Sequence, residues 1–139
     1  MALIKGTDGL LTVGPSGAPT TVGYITKYSI DMETDITQRG PYIGNAAKSK
    51  VLGGNTSSGT MTVDVPVNRD AGHTAIVTAH AAGTGLRLVA REGGTTEGYT
   101  YTAASALFTT VTSTGSAEEG YTLEIAWEDD AGYTYAVSS

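Results

Sequence analysis

Residues 24–35 carry the most regular pattern in the sequence, because apolar and polar side chains alternate along them. The apolar positions are Tyr24, Tyr28, Ile30 and Met32, and the polar positions include Lys27, Ser29, Asp31, Glu33 and Asp35. A period of two residues is typical of a β-strand with one buried face. The polar face ends in three carboxylates that repel each other, so it must lie in solvent or against a partner.

Composition and charge exclude several classes of protein. The chain has 139 residues, which suits a single domain, and folding would bury roughly 68–70% of the unfolded surface. Cysteine is absent, so neither disulfides nor thiolate metal sites can form. The net charge of −6 argues against a nucleic-acid reader, which needs Lys and Arg to neutralise phosphates. We expect no signal peptide and no membrane span, since no apolar run approaches ~20 residues.

The remaining patterns predict a mainly-β fold with one helix. Strands are predicted at residues 10–13, 20–35, 57–65, 86–92, 99–103, 107–113, 121–128 and 133–137. A helix is predicted over residues 69–82, with Asn68 as its cap and Gly83 just after its end. Strands in this number around a single helix favour a small β-sandwich or partly open barrel. We expect all of residues 1–139 to form one domain.

Residues 36–56 are predicted to form a long extended loop. Four glycines and Pro41 lie in this stretch, and it has no clear period. A loop of this length is uncommon inside a compact domain and is usually functional or disordered. Its charged residues are Arg39, Lys48 and Lys50, all basic.

Neither catalysis nor a cofactor is predicted. His73 and His80 are seven residues apart on the helix, about 10 Å along its axis, which is too far to share a metal. We expect both to be partly exposed polar side chains. The sequence has no nucleophile elbow, no P-loop and no dinucleotide-binding glycine motif after a strand.

The carboxylates likewise predict no metal site and only a weak hydrolase alternative. The three in residues 24–35 match the first ligand positions of an EF-hand, but Ile36 replaces the glycine and Tyr42 the closing glutamate. Glu124 and Glu128 could serve as the paired carboxylates of a small glycoside hydrolase. They fall on the polar side of a predicted strand, where solvated charge is the default.

A binding module is the main alternative from another functional class. Tyr99 with Tyr101, and Tyr133 with Tyr135, are i, i+2 pairs that point to one face of a strand. Aromatic faces stack on sugars, so these residues could form the site of a sugar- or cell-surface-binding β-sandwich. The favoured interpretation is that they close a small core or a subunit interface.

Five segments in a fixed order carry a resemblance to a known family. They are residues 4–11, the acidic strand at 22–35, the long loop to residue 54, the strand at 58–63 and the helix at 69–82. In this order they resemble the major tail tube protein of long-tailed, non-contractile bacteriophages and related tail-like particles. The resemblance covers nearly the full chain and is carried by residue types.

The resemblance implies a virion structural protein without catalytic activity. In such proteins hexameric rings stack into a tube, and the sheets of neighbours join around a lumen through which DNA leaves. The implied partners are further copies of the chain, a tape measure protein, a tail terminator and tail-tip proteins. DNA would pass through without specific binding, no membrane would be involved, and the protein would reside in the virion tail after assembly in the host cytoplasm.

Two groups of residues become candidates for these contacts. A negative wall keeps DNA phosphates from adhering, so the candidates for a lumen or inter-ring acidic face are Asp31, Glu33, Asp35, Asp64 and Glu124. The basic loop could dock on an acidic face of the next ring, its charges setting the register. The candidate inter-ring contacts of the loop are Arg39, Tyr42, Ile43, Lys48, Lys50, Val51 and Leu52.

Overall fold

The computed structural model describes residues 3–4, 6–39, 49–68, 70–93 and 97–137, with side chains in these ranges except at positions 8, 35–39, 49–54 and 97. A short 3-10 turn at Gly6–Asp8 precedes the first strand. The strands are β1 (Leu10–Val13), β2 (Thr20–Thr21), β3 (Ile25–Arg39), β4 (Ser49–Asp64), β5 (Leu86–Gly93), β6 (Glu97–Ser116), β7 (Gly120–Asp129) and β8 (Tyr133–Val137). Helix α1 (Ala71–Ala82) lies between β4 and β5.

The predicted mainly-β fold with one helix is confirmed, and the sheet is open. Its eight strands are antiparallel in the order β2-β1-β5-β6-β7-β4-β3, and β8 pairs with β6. Strands β7 and β8 lie end to end along the same edge of β6, the first against its second half and the other against its first half. The sheet does not close into a barrel.

The predicted loop at residues 36–56 is wrong for most of its length. Strand β3 continues to Arg39 and β4 begins at Ser49, and the two pair in register from Ile36↔Leu52 to Arg39↔Ser49. In this part β4 has no pairing with β7, which joins it only from Ser58 onward. Because no described strand pairs with this part of the hairpin from outside, apolar and polar residues need not alternate along it. Residues 40–48 lie outside the described residues.

Three other predicted strands differ from the structure. The predicted strands at 99–103 and 107–113 are one strand, β6, whose pairing shifts register near Ala106 and again between Phe108 and Thr110. Each shift interrupts the two-residue period that the sequence would show. The predicted strand at 20–35 is divided, because Tyr24 has φ 62 and lies between β2 and β3.

Helix α1 begins two residues later than predicted, and its cap is Asp70 instead of Asn68. The Asp70 carboxylate accepts hydrogen bonds from the backbone N–H groups of Gly72 at 3.0 Å and His73 at 3.2 Å. The helix ends as predicted, with Gly83 in the left-handed region at φ 69. None of the helices in the described residues is long and apolar enough to span a membrane.

One face of the sheet and the buried side of α1 form a single core. Its largest fully buried side chains are Trp127, Tyr101, Leu11, Met61, Ile76, Leu88, Ile125, Val13 and Val63. Alternate residues of β4 and β7 are buried in mid-strand, as at Met61 and Ile125, but Val65 and Tyr121, which continue these rows, are 45% and 63% exposed. Both lie at the margin of the sheet, where the core ends.

The Trp127 indole lies directly over Gly59, its partner on β4. A Cβ at Gly59 would overlap the indole ring. We expect Gly59→Ala to destabilise the protein by about 1–3 kcal/mol, as overpacked cores do, measured as a lower urea midpoint. Gly17→Ala is the matched control, because a Cβ there meets nothing within 4 Å. Equal midpoints for wild type and Gly59→Ala would contradict this account of the contact.

Candidate assembly surfaces

Four neighbouring strands, β3, β4, β7 and β6, share one polar face. Residues opposite each other in antiparallel strands point to the same side, and the register aligns Lys27, Thr62, Glu124 and Thr112 in one row. The row beside it, starting at Tyr28, points to the core. We call the outward side of these four strands the polar face.

The polar face holds a group of carboxylates at the β3 side. Asp31 lies opposite Ser58, which lies opposite Glu128. With Glu33 and Asp129 they line a shallow depression of about 300 Å³. Among the described residues no group of three or more His, Asp or Glu side chains is arranged to hold a metal ion. The depression is a group of carboxylates open to solvent.

The other acidic candidates spread along the same face. Glu124 is exposed in the row of Lys27, and Asp64 is exposed at the last position of β4, opposite Thr122. Asp35 lies on β3, but its side chain is outside the described set. The structure thus brings Asp31 and Glu33 together and separates them from Asp64.

Asp129 links the polar face to the core, a role that sequence reasoning missed. The backbone N–H and the hydroxyl of Ser57 both donate to Asp129 Oδ2, each at 2.6 Å. The Tyr101 hydroxyl lies 2.6 Å from Ser57 Oγ, and it donates to that oxygen because the Ser57 proton is already engaged. Asp129 stands two residues after buried Trp127, so the alternation of β7 was an available signal for an inward position.

The four paired tyrosines do not form one platform. Tyr101 is buried and stacks with Tyr133, with ring centroids 5.8 Å apart. Tyr99 and Tyr135 are exposed, and their rings lie 4.9 Å apart at 36°. One pair therefore belongs to the core, and the other extends the same apolar side beyond it.

Glu92 is a second residue that sequence reasoning missed. Its carboxylate accepts hydrogen bonds from the Tyr99 backbone N–H at 2.8 Å and from the Tyr135 hydroxyl at 3.0 Å, which joins β5, β6 and β8. Burial and the nearby Glu92 charge raise the pKa of Tyr28. Burial, the Glu92 hydrogen bond and the Glu92 charge raise the pKa of Tyr135. No local pattern could reveal the contact with Tyr135, which is 43 residues away on β8.

The two histidines anchor α1 to the sheet. His73 is 6% exposed, so the prediction of a partly exposed side chain is wrong for it. Its Nε2–H donates to the Gly23 carbonyl at 2.7 Å, and His80 Nδ1–H donates to the Phe108 carbonyl at 2.7 Å. These bonds hold the start of the helix against the segment between β2 and β3 and its end against β6.

Four of the seven candidate contacts of residues 36–56 lie on the paired ends of β3 and β4. Arg39 is the last residue of β3, and Lys50, Val51 and Leu52 pair with Gln38, Thr37 and Ile36. Their side chains are not described, and Tyr42, Ile43 and Lys48 lie outside the described residues. The contacts therefore remain predictions, and those in the described residues belong to the β3–β4 hairpin.

Comparison with known proteins gives structural matches only. No protein-family model matches the chain, and no curated protein matches it significantly. A chain of the tail of an empty gene transfer agent particle with C6 symmetry matches at a TM-score of 0.72 and 14% identity, covering 96% of this chain and 98% of that one. The SPP1 tail tube matches at 0.76 and 14% identity, covering 98% and 80%. The sheath/tube terminator of the PVC extracellular contractile injection system matches at 0.68 and 15% identity, covering 99% of both chains.

These matches define the class of fold. The chain has the fold shared by components of a phage tail tube, a gene transfer agent tail and a contractile injection system. The likeness extends over nearly the full length of the chain. Because the sequence identities are 14–15%, it shows a shared fold and no more.

The raised pKa values of Tyr28 and Tyr135 predict that the protein loses stability at alkaline pH. A raised pKa in the folded state favours the neutral phenol, so its stabilisation is complete below the ordinary value of 10.0 and is lost as pH rises through the folded value. We expect Tyr28→Phe to reduce the fall in urea midpoint between neutral pH and about pH 11. An unchanged fall in Tyr28→Phe would contradict the assignment.

Proposed function

We propose that the chain is a structural subunit that assembles with copies of itself into stacked rings, forming the tail tube of a phage or tail-like particle. The observation that carries the proposal is the fold shared with tail and tube components over at least 96% of this chain. We expect rings of six, the symmetry of the gene transfer agent tail. The proposed role is structural and requires no catalytic residue.

The chemistry of the polar face supports its use as the lumen wall. Along β3 to residue 33, β4 from residue 55, and the whole of β6 and β7, Lys27 is the only basic residue. None of the exposed large apolar side chains among the described residues lies on this face. Such a wall offers phosphates little positive charge and bases little apolar surface, so DNA can pass without adhering.

The open sheet supports closure by neighbouring copies. Among the described strands, β3 pairs with β4 alone, which leaves its other edge free from Ile25 to Arg39. A groove of about 780 Å³ separates the start of β3 from β1 and β2, and both sides line it. Free sheet edges tend to pair with another chain, and ring symmetry would cover each edge with the same element of a neighbour.

The proposal includes partners beyond the chain itself. The match to the sheath/tube terminator structure supports a tube end capped by a related fold. We expect tape measure and tail-tip proteins to complete the tail, which assembles in the host cytoplasm. The acidic candidates Asp31, Glu33, Asp35, Asp64 and Glu124 would face the lumen or the next ring.

Assembly of the purified chain tests the proposal directly. We expect rings or hollow tubes by negative-stain electron microscopy after concentration. A stable monomer at every concentration and salt, with affinity for a glycan, would contradict it and favour the sugar-binding alternative.

A hairpin variant separates folding from assembly. Replacing residues 37–51 with Asn-Gly keeps the Ile36↔Leu52 pair and supplies a favoured two-residue turn. We expect this variant to fold but to form no tubes. If this variant formed normal tubes, residues 37–51 would not be needed for the contacts between rings.

Charge reversal tests the polar face. We expect tubes of Asp31→Lys/Glu33→Lys/Glu124→Lys to retain DNA that wild-type tubes release, because three carboxylates become cations on the wall. Cosedimentation with short DNA at low and high salt measures this, and the retention should weaken as salt rises. Asp130→Lys, at the exposed turn between β7 and β8, is the single-charge control. Equal release from wild-type and triple-variant tubes would show that these residues lie away from the lumen.

A further inference from the structure

A pocket of about 150 Å³, here called the Glu92 pocket, lies between β3 and the strands β5, β6 and β8. Strand β5 contributes Glu92, β6 contributes Tyr101 and β8 contributes Tyr135. The opposite wall is formed by β3 and includes Tyr28 and Met32. The pocket therefore brings one carboxylate and three tyrosines together from four strands.

The Glu92 carboxylate is fixed in position, and no described cation pairs with it. Its Oε1 accepts a hydrogen bond from the Tyr99 N–H at 2.8 Å, and its Oε2 accepts one from the Tyr135 hydroxyl at 3.0 Å. A carboxylate can accept about four hydrogen bonds, so these contacts leave part of its capacity unused. No lysine or arginine of the described residues forms an ion pair with Glu92.

The charge of Glu92 acts across the pocket. Burial and this charge raise the pKa of Tyr28 on the opposite wall. A nearby negative charge favours a positive group and disfavours a second negative one. The interior of the pocket is therefore a favourable place for a cation.

The hydrogen-bonding groups of the pocket also favour a cation over an anion. The Tyr135 hydroxyl already donates to Glu92, and the Tyr101 hydroxyl donates to Ser57 Oγ. With these two donors engaged, an anion would meet the carboxylate and find few partners. Ammonium and guanidinium head groups carry no acceptor and have the charge opposite to that of Glu92.

The size and the walls of the pocket fit the head group of an organic cation. Its volume is about five times the roughly 30 Å³ that a water molecule occupies in the liquid, which suits a group of four or five heavy atoms. Aromatic faces attract cations that lie within about 6 Å of the ring centroid. Ile30 and Met32 line the same pocket and offer apolar surface to the carbon atoms beside the charge.

We propose that the Glu92 pocket binds the head group of an organic cation, a guanidinium or a substituted ammonium. The carboxylate pairs with its charge, and the tyrosine rings and Met32 contact its carbon atoms. Two sources carry this chemistry, a free organic ammonium and a lysine or arginine side chain of a second copy. The site goes beyond the proposed tube function and does not depend on it.

Choline and its uncharged isostere 3,3-dimethylbutan-1-ol test the site in the unaltered protein. The two ligands have the same shape, so a difference in their affinity reports on the charge. The NMR signal of the Tyr99 amide measures binding in dilute, unassembled protein, because that N–H donates to Glu92. We expect choline to bind about tenfold more tightly or better at equal ionic strength. Equal affinities, or no shift with choline, would overturn the proposal.

A variant tests the carboxylate itself. We expect Glu92→Gln, which removes the charge and retains the shape, to weaken choline binding about tenfold or more without changing the affinity for the isostere. Glu118→Gln, exposed in the turn between β6 and β7, changes the net charge equally and should bind choline as wild type does. Unweakened binding by Glu92→Gln would overturn the proposal. Circular dichroism checks its folding, and if it does not fold, the comparison of the two ligands decides.

Assembled protein distinguishes the two sources of the cation. If a side chain of a second copy occupies the pocket, assembled protein will bind no choline although dilute protein does, and Glu92→Gln will assemble less well. If the ligand is a free cation, dilute and assembled protein will bind choline equally, and Glu92→Gln will assemble normally. If wild type does not assemble, the tube function fails, and choline binding by dilute protein still decides the pocket.

Discussion

The register across β3, β4, β7 and β6 is the constraint on which the rest of the structure depends. It aligns the row Tyr28–Met61–Ile125–Val111 toward the core and the adjacent row from Lys27 toward solvent. A slip of one residue in any strand would exchange the two rows. Gly59 pins the register, because only a position without a Cβ admits the Trp127 ring. The same pairing of these four strands therefore determines both the buried core and the polar face.

Because the sheet is open, a single copy of the chain leaves part of its backbone unpaired. Hydrogen bonds saturate the interior strands, but the outer edge of β3 and the groove beside β1 and β2 are left to solvent in a single copy. In the assembly that we propose, a second copy would pair with that edge and cover the groove without new secondary structure.

Sequence alone predicted the elements whose signals are local. Strands β1 and β8 match their predicted bounds, and Gly83 ends α1 as expected, because alternation and a left-handed C′ residue need no distant partner. Prediction failed where strand pairing decides the structure. Residues 36–39 and 49–52 are strand because they pair with each other, and residues 55–56 because they pair with 33–34. Strand β6 is likewise continuous through its register shifts. On the candidate surface, alternation placed Asp31, Glu33 and Glu124 outward. It could not find the role of Glu92, because the hydrogen bond from the Tyr135 hydroxyl comes from a strand 43 residues away.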